Sequence, residues 1–103
     1  MIPLSRRTAG LVTQIFEPGD AEKAARLLET ECAETLPLVH SPNPEGLERI
    51  RFAALRTCEG DLETLKAMVV LAQTDWRDLL MAAGFGESID AHNQWANRRL
   101  GEG

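Results

Sequence analysis

The sequence predicts an all-α protein, a compact bundle of five or six short helices around a central helix at about residues 44–58. Three observations carry this. Read at 100° per residue, Leu47, Ile50, Ala54 and Cys58 fall on one stripe while Phe52 and Leu55 fall nearly opposite, so this helix has two apolar faces where a surface helix needs one. With no tyrosine and three phenylalanines, Leu and Ala are the main packing material, which favours helices. Proline, glycine and capping residues cut the chain at short intervals and no heptad pattern persists, which excludes an elongated coiled coil.

Residues 5–16 read as the first helix, with Ser5 as cap, Leu4 stapling the entry and Leu11, Val12, Ile15 and Phe16 as its stripe. Residues 10–16 also read as a strand, although a lone strand has nothing to pair with. Glu17-Pro18-Gly19-Asp20 breaks the chain. Asp20 is then expected to cap a helix running to Leu36, stopped by Pro37, with Ala21, Ala24, Ala25, Leu28, Cys32 and Leu36 inward. Residues 17–36 carry six acids against two bases and form the acidic region, read as a solvated outer face with pairs such as Glu22 with Arg26.

The proline-rich stretch 37–44 is expected to be an ordered loop presenting His40, with Asn43 capping the central helix and Pro44 at its first position. On that helix Arg49 and Arg56 line one seam between the apolar faces and Arg51 the other. Gly60 suits a left-handed turn, and Asp61 caps the next helix, where Leu62, Leu65, Met68, Val69, Leu71 and Ala72 form a wide, largely buried arc. Thr74 or Asp75 can start a new short helix; one continuous helix over 61–83 is the alternative. Gly84 and Phe85 end it in a Schellman turn, and Ser88 is expected to cap a last helix to about Arg99, with Ile89, His92, Trp95 and Ala96 inward.

The chain of 103 residues is expected to form one domain, residues 1–103, large enough to fold without a metal or disulfide. Cys32 and Cys58 lie on apolar stripes and read as small hydrophobes. Separations of 8, 18 and 34 residues among Cys32, His40, Cys58 and His92 match no zinc-ligand spacing, so no metal and no cofactor is expected. There is no glycine-rich phosphate loop and no nucleophile elbow. With no long apolar run, membrane insertion is not expected, and the compartment is read as cytoplasmic.

Three functional readings follow. The leading one is a protein-interaction domain, pairing with itself or another protein through a helix face. Phe52, Leu55 and Val70 are apolar positions the main stripes do not consume, and a homodimer over the central or following helix would cover them. The second is a small enzyme using a polar cluster of Arg49, Arg51, Asp75, Arg77, Asp78 and His92 as acid, base and cation; Asp75 and Asp78 also suit a helix start, and His92 a packed face. The third concerns nucleic acid. Asp78 to Trp95, with Gly84 in the turn and Asn93, Gln94, Asn97, Arg98 and Arg99 beyond it, resembles a helix-turn-helix, which implies DNA binding through the second helix. It departs from that pattern at Leu80 and Asp90, and a net charge of −5 makes nucleic acid an unfavoured partner.

Overall fold

The computed structural model describes residues 1–33, 44–86, 88 and 90–101. Among these there are five helices and no strand: α1 (Arg6–Ile15), α2 (Pro18–Glu31), α3 (Pro44–Cys58), α4 (Leu62–Ala83) and α5 (Ala91–Leu100). The radius of gyration, 12.2 Å, is close to the roughly 13 Å of a compact chain this long. The all-α bundle expected from the sequence is present, with α3 at its centre. Helix α3 packs on α4 most extensively and also on α1 and α5, while α2 packs against α1 and α4.

Local chemistry sets most of the boundaries. Ser5 Oγ accepts the Thr8 N–H at 3.1 Å, so α1 starts as a capped helix and residues 10–15 are helical, not a strand. Glu59 and Gly60 both take positive φ, and Asp61 accepts the Thr64 N–H at 3.2 Å to open α4. A Cβ on Gly60 would also lie 2.9 Å from the Ile15 carbonyl oxygen, so the α3–α4 hairpin passes α1 closely there. Asp75 breaks α4 with φ −154° and ψ 90°, and its carboxylate accepts the Arg77 N–H at 3.1 Å, a cap for the helical turns that follow. Gly84, left-handed, closes α4, and the Phe85 N–H reaches the Leu80 carbonyl at 2.8 Å as a Schellman turn requires.

Some boundaries differ from expectation. Helix α2 begins with Pro18 at its first turn, not after Asp20, since proline lacks only an N–H that position does not use. It ends at Glu31, short of Leu36, because Cys32 leaves the helical region and the Arg51 guanidinium occupies the last carbonyls. Helix α5 has Asp90, not Ser88, at its cap position, with the Ser88 hydroxyl accepting the Asp90 N–H at 3.2 Å. The expected positions of Asn43, His40 and Ile89 lie outside the described residues.

The two-faced reading of α3 holds, but its corollary does not. Phe52 and Leu55 are 0% and 1% exposed within a single chain, because α5 brings Trp95 and His92 against Phe52. They offer no surface for a partner. Helix α4 errs in the other direction: Leu65, Val69 and Ala72 are buried, yet Val70 stands 59% exposed. Among the described residues no helix is long and apolar enough to cross a membrane.

Candidate functional site

The expected polar cluster divides into three unconnected parts. Arg51 is 3% exposed and is a structural clamp. Its Nε donates to Cys32 O at 3.0 Å, its Nη1 to Pro3 O at 3.1 Å, and its Nη2 to Ile2 O at 2.7 Å and Leu28 O at 3.2 Å. One guanidinium thus closes the carboxy-terminal end of α2, where carbonyls concentrate negative partial charge, and ties down the amino-terminal arm. Asp75 and Arg77 form the second part, the α4 break, with the Arg77 guanidinium 5.4 Å over the Trp76 ring and Asp78 exposed beside it. No hydrogen bond joins Asp75, Arg77 or Asp78 to Arg49, Arg51 or His92 among the described residues. The enzyme reading needed an acid, a base and a cation from all three; they are not brought together.

The third part, around His92 and Arg49, forms a cleft of about 820 Å³ between the first turns of α3 and α5, lined by Glu45, Gly46, Glu48, Arg49, Asp90, His92 and Asn93. His92 is 6% exposed, with its ring 5.8 Å from that of Phe52 and 6.3 Å from that of Phe85. Its Nδ1 is buried with no hydrogen-bond partner, and the Nε atoms of Arg7 and Arg49 share that condition. Burial pulls the His92 pKa below its ordinary 6.5, and the Arg49 cation pulls the same way; Glu48 opposes, Arg7 adds to the lowering and Asp90 opposes. The imidazole is therefore neutral at pH 7.

The surroundings hold His92 in place. Arg49 donates through Nη2 to Phe85 O, a short contact, and to Ser88 O at 3.2 Å, which ties α3 to the turn before α5. Arg7, stacked 5.4 Å over Phe52, donates to Asn93 Oδ1 at 2.8 Å and Asn97 Oδ1 at 2.7 Å. Glu48 accepts from the Ser5 hydroxyl in a short contact, and Asp90 accepts from the Asn93 and Gln94 amides at 3.3 and 3.4 Å. Sequence reasoning missed Arg7, Gly46, Glu48 and Asp90 as members of this site. Asn93 and Asn97 were a usable signal: four residues apart on one helix face, they form a paired amide acceptor that a guanidinium fits.

These contacts bear on the helix-turn-helix resemblance. Seven residues, 84–90, separate α4 from α5, longer than the three or four of that motif. Asn93 and Asn97 are held by Arg7, and Gln94 bonds Asp90, while Arg98 and Arg99 remain exposed. Both cysteines are free and buried, and burial raises the Cys58 thiol and pushes Cys32 up to about 11, so neither presents a thiolate. Among the described residues no three His, Cys, Asp or Glu side chains converge to hold a metal ion.

Fold and contacts together define a small all-helical domain with one polar cleft and one exposed apolar helix face. Comparison with protein-family models, curated proteins and solved structures finds no match to the chain.

Proposed function

We propose that the chain is a protein-interaction domain acting through the outward face of α4, on a second copy of itself or on another protein. One observation carries the reading: apart from Met1, the large apolar side chains exposed among the described residues are Val70 and Met81, at 59% and 67%, and both belong to α4. Ala67, Thr74 and Ala82, also exposed on this helix, add small side chains that let a partner approach closely. With Phe52 and Leu55 consumed by the core, Val70 is what remains of the surface proposed from the sequence, and a homodimer would form over it. A cytoplasmic setting suits the two cysteines, which stay buried and unpaired as in a reducing compartment.

A photo-crosslinking side chain placed at position 70 in cells tests this. Discrete adducts, with the same chain or with another protein, are expected from position 70 and not from an equally exposed control at Glu22 on α2. Indistinguishable adduct patterns from the two positions would refute the reading.

A further inference from the structure

We propose that the cleft between the first turns of α3 and α5 binds a small aliphatic diamine, its ammonium groups held by Glu48 and Asp90 while His92 accepts an N–H. The first ground is the sign of the lining. Three carboxylates, Glu45, Glu48 and Asp90, face one guanidinium, Arg49, whose Nη2 is turned to the Phe85 and Ser88 carbonyls. Glu45 and Asp90 sit at the starts of their helices and offset the positive ends there; Glu48 lies a turn further in, beyond what those ends require. An anionic ligand would meet this surplus of negative charge.

The second ground is His92, more than nine-tenths buried, lining the cleft and holding a nitrogen with no partner in the protein. A neutral imidazole offers a lone pair, and an ammonium offers three N–H donors, so the two are complementary. Spacing separates this ligand from a bare metal ion. The carboxylates and the imidazole line one cleft without converging on a point, as the absence of any metal-holding group among the described residues requires. Acceptors spread along a cleft suit a cation whose charges are themselves separated. Glu48 and Asp90 keep acceptor capacity for it: each carboxylate has about four lone-pair sites, and their intramolecular partners take one and two. Space is available as well, since a Cβ built on Gly46 meets no atom within 4 Å.

The test is a titration of the full chain with 1,4-diaminobutane at constant ionic strength, read by NMR at the His92 imidazole and the Asn93 side-chain amide. A saturable shift at millimolar diamine is expected, absent with sodium chloride. Gly46→Leu, whose side chain grows into the open space on a helix that tolerates it, should abolish the shift while leaving the thermal midpoint near the parent value. Glu48→Gln with Asp90→Asn should weaken binding at least about tenfold, the loss expected when charge-assisted bonds become neutral ones. No saturable shift, an unchanged shift in Gly46→Leu, or equal binding of 1-aminobutane would each overturn the proposal. Substitutions at Val70 should leave the titration unaltered, which separates this site from the α4 face.

Discussion

Two arginines two residues apart on α3 meet opposite conditions. Arg51 faces the end of α2 and gives every one of its nitrogens a carbonyl partner. Arg49 faces α5, where its Nε, the Arg7 Nε and the His92 Nδ1 are all buried without partners. Buried polar groups stabilise a fold only when their hydrogen bonds are complete, and an incomplete set costs free energy. The Arg51 joint is thus a structural device, and the Arg49–His92 joint is where this small domain retains unspent hydrogen-bonding capacity. That contrast, and not residue type, separates scaffold from candidate site: from the sequence both arginines belonged to one polar cluster.

The largest effect should come from the completed joint. Arg51→Leu leaves the Leu28 and Cys32 carbonyls buried without a donor and frees the Ile2–Pro3 arm, so urea denaturation should show a loss of about 4 kcal/mol. Arg51→Lys should recover less than half of it, because one ammonium cannot span carbonyls on two segments. A near-neutral Arg51→Leu would mean the clamp is incidental. Next in size are Leu28→Ala beside the clamp and Ile50→Ala on α3, both buried, each expected to cost about 3 kcal/mol as cavity-forming truncations.

The incomplete joint should reveal itself through pH. The folded pKa of His92 lies below its ordinary 6.5, so the unfolded chain binds more protons once the pH falls under that value. Stability is then full above about pH 6.5 and declines as the pH falls toward the folded pKa. His92→Phe, which keeps an aromatic ring beside Phe52 and Phe85, should flatten the stability curve between about pH 7 and pH 5. If the parent and the variant decline in parallel over that range, His92 is not the group responsible.

Signals confined to neighbouring residues were legible in the sequence. Ser5, Asp61, the Asp75 break and the Gly84–Phe85 turn each act over two to five residues, and each appears where the chain predicts it. The two faces of α3 were legible for the same reason, since helical periodicity is local. What covers those faces was not. Arg51 reaches carbonyls 19 to 49 residues away, and Arg7 reaches Asn93 and Asn97 at separations of 86 and 90. No periodicity records which distant helix will fill a stripe. For that reason Phe52 and Leu55 read as surplus apolar surface when α5 had already claimed them. The same blindness makes Asp75, Arg77, Asp78 and His92 look like one cluster when α4 and α5 hold them apart.

The smallest stability effect separates a surface from a core on the one apolar position that survived as exposed. Val70 lies on α4 next to Val69, which is 2% exposed, so adjacent residues of the same type sit in opposite environments. Val69→Glu would bury a carboxylate and should unfold the domain at neutral pH. Val70→Glu places the same charge in water and removes a β-branched residue from a helix, where glutamate has the higher intrinsic propensity. Its stability should stay within about 0.5 kcal/mol of the parent, as for surface substitutions generally. If Val70→Glu is instead strongly destabilising at concentrations where the parent is monomeric, Val70 is packed inside one chain and the outward face of α4 is not available to a partner. If it is neutral at those concentrations, any loss of adducts from that face reports a broken interface and not a broken fold.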